Sequence, residues 1–174
     1  MSLSEDVRAV IRDVPDFPKP GILFRDIAPL LANGALFERV TDWMVERFRE
    51  QRPTRVMGVE SRGFLFGAPV AHRMGCGFVP ARKPGKLPWK TVRAEYSLEY
   101  GTDSLEVHQD AFGPGDRVLI IDDLLATGGT ASAACELVHK LGADVCGVCV
   151  AIELTELGGR ERLGEQAVTS LLTY

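Results

Sequence analysis

The sequence predicts an α/β fold with a mostly parallel central sheet, and three observations carry that expectation. Short apolar runs at residues 55–59, 77–81, 118–121, 145–153 and 167–172 read as strands, several of them continuous enough to be buried on both faces. Segments of helical period lie between them at residues 64–73 and 130–141, each closed by a glycine, Gly75 and Gly142. The repeated order of strand, polar turn, helix and strand is that of a parallel crossover unit.

At 174 residues, with 45% hydrophobic and 25% charged residues, the chain is expected to form one domain over 1–174 with a substantial core. Its net charge of −4 gives no footprint for nucleic acid or an anionic membrane surface, so an anionic ligand must be held by a local site. No apolar run reaches the roughly 18 residues of a membrane span, and the acidic start is unlike a signal peptide. The expectation is a cytoplasmic protein. Cys76, Cys135, Cys146 and Cys149 sit among apolar or small residues, which fits reduced, buried thiols. Cys146 and Cys149 have the spacing of a redox or zinc pair, but they fall inside a strand-like run where residues three apart face opposite ways.

Taken in order, residues 2–14 read as a helix with Ser2 and Glu5 placed for a capping box. Residues 16–27 mix Pro18, Pro20 and Gly21 with large apolar side chains, the composition of an ordered covering loop. Residues 34–50 form an amphipathic helix whose Leu36, Val40, Trp43, Met44 and Phe48 share one face. Residues 82–93 are basic and broken by Pro84, Gly85 and Pro88, whereas 94–108 alternate around Gly101, Thr102 and Asp103 like a β-hairpin. A mobile basic loop above a hairpin is suited to act as a lid.

The richest stretch is Asp122-Asp123-Leu124-Leu125-Ala126-Thr127-Gly128-Gly129-Thr130, between a buried strand and a helix. Small residues, two glycines and two hydroxyls at a helix start make a phosphate cradle at 126–130, because free N–H groups and the helix dipole converge there. Asp122 and Asp123 would repel phosphate, but they can accept hydrogen bonds from a ribose diol and favour a ring that becomes cationic. The combination reads as a ribose 5-phosphate site. Glu60, Ser61, Arg62 and Gly63 end another strand and supply an arginine beside close-approach backbone, and Arg82, Lys83 and Lys86 add mobile charge, as a pyrophosphate site requires. Mg²⁺ would be held through substrate phosphates and water, without direct protein ligands.

The acidic-glycine stretch resembles the phosphoribosyl-diphosphate signature of type I phosphoribosyltransferases, in the version found in adenine phosphoribosyltransferases. Similar segments are Phe17-Pro18, Pro20-Gly21 and Phe24 to Ile27 (a base-covering hood, about 14–33), Ser61 to Gly67 (a pyrophosphate loop preceded by a non-proline cis bond), and the two ends of a flexible catalytic loop and hairpin at about 82–108. The resemblance implies a Mg²⁺-dependent homodimer, with Arg82 reaching toward the neighbouring subunit's site. It implies transfer of 5-phosphoribosyl from the 1-diphosphate to N9 of adenine, giving AMP and pyrophosphate. It assigns the backbone of Leu23 and Arg25 to the adenine edge, Phe24 and Leu124 to its faces, and Glu99 to acid–base work with Tyr100 helping closure and Arg62 at the leaving group. The aspartate that serves the 6-oxopurine branch is replaced by Ala126, so the acid–base group must lie elsewhere. A solvated hairpin carboxylate is an equal reading of Glu99. The same chemistry on xanthine or orotate, and a regulator that senses the diphosphate without catalysis, are the alternatives; a full lid segment and negative charge count against the second.

Overall fold

The computed structural model describes residues 2–98 and 101–174, in two compact units, 1–43 and 44–174. In the first, α1 (Leu3–Val10) starts at the expected capping box: Ser2 Oγ accepts from Glu5 N–H and the Glu5 carboxylate accepts from Ser2 N–H. The helix is shorter than expected. Residues that were to continue it form β1 (Arg12–Pro15), paired antiparallel with β2 (Leu23–Asp26). Cross-strand pairing, with Val14 opposite Phe24, overrides the helical period of the apolar residues. The hood segment is therefore a two-stranded ribbon and not a loop. Its turn is tied by Asp16 Oδ1, which accepts from Gly21 N–H at 2.8 Å, and the Phe17-Pro18 bond is cis. A short α2 (Ala28–Ala32), unforeseen, follows with a proline in its first turn, and α3 (Gly34–Phe48) begins after it.

The second unit holds a five-stranded sheet, all parallel, made of β3 (Arg55–Val59), β4 (Gly77–Ala81), β7 (Arg117–Leu125), β8 (Asp144–Glu153) and β9 (Val168–Thr173) in the order β4-β3-β7-β8-β9. A separate antiparallel ribbon joins β5 (Thr91–Leu98) to β6 (Gly101–His108). Helix α4 (Gly63–Met74) connects β3 to β4, and α5 (Gly129–Lys140) connects β7 to β8. Val118, Leu119, Ile120 and Ile121 are all 0% exposed, and at about 1.5–3 kcal/mol for each buried side chain they anchor the sheet. Met57, Val59, Val118, Ile120, Val148 and Val150 share one core with Ala94, Tyr96, Leu105 and Val107 of the ribbon and the alanines of α5. The intervening Val56, Leu119, Ile121 and Cys149 are equally buried, as two-sided cover requires.

Two boundaries differ from expectation in ways that matter. β7 does not stop at Ile121; it pairs with β3 only through Ile121 but continues beside β8 to Leu125. The acidic pair thus lies on a strand with one open edge, not in a loop. In the ribbon, residues 101–103 belong to β6, with Leu98 opposite Gly101, so the expected turn does not lie there; Glu99 and Tyr100 lie outside the described residues.

The thiols are free, and burial pushes Cys135 and Cys146 up to about 11 and Cys149 to about 12. No helix among the described residues is long and apolar enough to cross a membrane.

Candidate active site

The sheet order locates the site. From the adjacent strands β3 and β7 the crossovers diverge, β3 to β4 on one side and β7 to β8 on the other. That is a topological switch point, where ligands of open parallel sheets bind beyond the strand carboxyl ends. Residues 60–62 leave β3 there, and residues 122–125 end β7 and lead through 126–128 into α5. Between them is a cavity of about 360 Å³, lined by Glu60, Ser61, Arg62, Lys83, Tyr96 and every residue from 122 to 131. Its size suits a small-molecule site.

The cradle at its floor follows from the backbone. Gly128 is the N-cap of α5 at φ +79°, the left-handed region that favours glycine, and it has no side chain with which to cap the first-turn N–H groups. A Cβ at Gly128 would stand 2.5 Å from the Gly159 carbonyl oxygen, so this turn rests backbone to backbone on α6 (Gly159–Arg162). On the opposite wall α4 starts so close to β7 that a Cβ at Gly63 would be 2.7 Å from the Ile121 oxygen and 3.0 Å from Asp122 Oδ1. The Glu60-Ser61 bond that leads into this wall is cis.

The electrostatics are divided across the cavity. Arg62 Nε stands 2.7 Å from Asp123 Oδ2, whose side chain is buried. Desolvation first, and then the adjacent Asp123 carboxylate, push the Asp122 carboxyl well above the ordinary carboxylate range. Glu60 accepts from Arg82 Nε at 3.1 Å and from Lys83 N–H at 2.9 Å, and these bonds with the Arg82 charge hold its carboxyl low although burial opposes them. Lys83 Nζ donates to Tyr96 Oη at 2.8 Å and pairs with Asp103.

A family model described as the phosphoribosyl transferase domain matches residues 26–168. The adenine phosphoribosyltransferase of Myxococcus xanthus is 56% identical over 173 residues, covering 99% of this chain and 94% of that one. The chain belongs to the adenine phosphoribosyltransferase family. Solved structures agree: the Thermoanaerobacter pseudethanolicus adenine phosphoribosyltransferase superimposes with a TM-score of 0.96 at 48% identity, covering 98% of this chain and 99% of that one. The Saccharomyces cerevisiae enzyme, solved with an imino-altritol bisphosphate and adenine, does so at 0.92 and 41% identity, covering 98% of both chains.

Within this family member, the sequence-derived candidates separate into groups. Asp122, Asp123, Leu124, Ala126, Thr127, Gly128, Gly129, Thr130, Glu60, Ser61, Arg62 and Lys83 all line the one cavity. Arg82 and Lys86 do not: Arg82 is turned onto Glu60 and donates to the Lys86 carbonyl at 3.3 Å. In the first unit Arg25 pairs with Asp13, the Phe24 ring stands edge-on to Phe17 at 5.0 Å, and Leu23 is exposed. Glu99 and Tyr100 lie outside the described residues. Tyr96 is a site residue that sequence reasoning missed, because a tyrosine in an alternating strand reads as ribbon packing. Its one signal is its place in the segment similar to the family's catalytic loop.

Proposed function

We infer that the chain transfers the 5-phosphoribosyl group of 5-phospho-α-D-ribose 1-diphosphate to N9 of adenine, releasing pyrophosphate and forming AMP. The carrying observation is the single cavity that joins a phosphate-accepting helix start, two carboxylates and the Arg62 guanidinium at the switch point. The Saccharomyces cerevisiae relative was solved with adenine, which supports the choice of base.

In this reading the N–H groups of residues 127–131 hold the 5-phosphate. Asp122 and Asp123 accept from the ribose hydroxyls and stabilise the positive charge that develops on the ring as the bond from C1 to the diphosphate breaks. Arg62 and Lys83, with Ser61 and its neighbouring backbone, take up the negative charge that grows on the leaving pyrophosphate. A divalent ion serves this family's chemistry, and we assign Mg²⁺, carried by diphosphate oxygens and water. Bound there it would neutralise leaving-group charge, and the Asp122 carboxyl, whose ionisation desolvation and Asp123 disfavour, would gain from a cation nearby. Leu23, Phe24, Arg25 and Leu124 are assigned to adenine, Glu99 to proton removal from the purine with Tyr100 helping closure, and Arg82 and Lys86 to the pyrophosphate after they leave their present partners. A homodimer in the cytoplasm and a single phosphoribosyltransferase domain over 1–174 complete the proposal.

The test offers adenine, hypoxanthine, guanine, xanthine and orotate separately with the diphosphate and Mg²⁺, and measures pyrophosphate and nucleotide. Adenine alone should give matched AMP and pyrophosphate. Turnover with another base would overturn the base assignment, and tight diphosphate binding without turnover would favour a sensor.

A further inference from the structure

We propose that Asp103 is a positioning residue: with Tyr96 it holds the Lys83 ammonium at the wall of the cavity, ready for the diphosphate. This rests on the cavity being the diphosphate site, as inferred above.

The backbone at residues 82–83 is pinned from two sides. Arg82 and Glu106 exchange backbone hydrogen bonds of 2.9 and 2.7 Å, and Lys83 N–H donates to Glu60. What remains adjustable is the Lys83 side chain, a flexible four-carbon stem with many rotamers. Its end is fixed by Tyr96 Oη at 2.8 Å and by the Asp103 carboxylate, and Tyr96 Oη lies 3.2 Å from the same carboxylate oxygen. Tyr96 and Asp103 face each other directly across the β5–β6 ribbon, so strand register builds the acceptor pair.

Tyr96 also connects this cluster to the phosphate cradle. It is 6% exposed, and its ring edge stands 3.0 Å from where a Cβ on Gly129 would be. Lys83 and Tyr96 line the cavity; Asp103 does not, and stands behind them. Side chains of Lys83 and Asp103 are about a third exposed, at 37% and 32%, so their pair adds little to folding. Its value lies in ordering a side chain that the anion would otherwise have to order on binding. The bonds to Asp103 and Tyr96 raise the Lys83 ammonium's affinity for its proton against the opposing effect of burial, which keeps the charge in place.

The test is calorimetric titration of the full chain with magnesium pyrophosphate, using the unsubstituted protein, Asp103→Asn, Asp103→Glu, Lys83→Met and the Lys83→Met/Asp103→Asn double variant. Asp103→Asn should weaken binding by about three- to tenfold and Asp103→Glu should recover most of that. In the Lys83→Met background Asp103→Asn should change nothing further, an outcome that general structural damage would not give. Unchanged or tighter binding in Asp103→Asn, or an equal loss with and without Lys83, would overturn the proposal. Adenine-dependent AMP formation by the unsubstituted chain is measured alongside. Its failure with the coupling intact would sink the functional reading alone, whereas AMP formation without the coupling would sink only the role of Asp103.

Discussion

Arg62 Nε and Asp123 Oδ2 stand 2.7 Å apart, so the cation proposed for the leaving group rests on a carboxylate proposed for the ribose. Arg62 lies just beyond β3 at the start of α4 and Asp123 on the neighbouring strand β7, so their pairing spans the switch point. Removing the guanidinium therefore has two effects. The Arg62→Ala variant should lose about a hundredfold or more in kcat/KM for the diphosphate, the scale expected when a donor to developing negative charge is deleted. It should also lose about 1–3 kcal/mol of stability, because the buried Asp123 carboxylate is left without its partner. Steady-state kinetics and denaturant unfolding check the two parts independently.

Asp122 predicts a conflict between stability and function. Its carboxyl is pushed well above the ordinary range in the folded chain, first by desolvation and then by Asp123. The folded state therefore holds the proton more tightly than the unfolded state. Stability from this group is present below the ordinary carboxylate range and is lost as pH rises toward the elevated value. Asp122→Asn should unfold at least about 2 °C higher than the unsubstituted chain near pH 7.5, with the difference shrinking toward about pH 4. The same variant should transfer phosphoribosyl at least about tenfold more slowly, since the ring cation loses a carboxylate. Thermal unfolding across pH and a turnover assay decide both.

The acidic pair also shows what could be read from the residues alone. Residue type and order revealed the parallel sheet, the glycine turn into α5 and the arginine just beyond the neighbouring strand, because each depends on local chemistry near a strand terminus. The end of β7 was misplaced because polarity does not tell a loop from a strand whose neighbour has turned away at Val59. The strand at residues 12–15 was hidden because its partner lies eight residues beyond it and its apolar residues also fit a helical stripe. Tyr96 entered the cavity through ribbon register, and no periodicity of its own segment contains that information.

Gly128 tests the cradle. Its φ of +79° is strained for any other residue, and a Cβ there would stand 2.5 Å from the Gly159 oxygen, which leaves no room for a side chain. Gly128→Ala should raise the KM for the diphosphate about tenfold or more and cost at least about 1 kcal/mol of stability. An alanine variant with unchanged KM would mean that the 5-phosphate is held elsewhere.

Beneath the cradle, Arg160 donates to Glu153 through Nε at 2.9 Å and through its terminal nitrogen at 2.6 Å, and Ser170 Oγ donates to the same carboxylate at 2.6 Å. The Arg160 bond, ahead of the opposing effect of burial, holds the Glu153 carboxyl below its usual range. Such a group stabilises the fold above the ordinary carboxylate range and loses that contribution as pH falls through its lowered value. Arg160→Ala should cost about 2 kcal/mol at neutral pH, and less as the medium is acidified below about pH 4. Chemical denaturation at several pH values measures the difference.

The central claim is that one cavity at the switch point holds the ribosyl phosphate, and a crystal structure of the chain with AMP tests it most directly. The account predicts the 5-phosphate on the N–H groups of residues 127–131 and the ribose hydroxyls on Asp122 and Asp123. A phosphate bound instead on the basic segment 82–90, with the cradle empty, would contradict it.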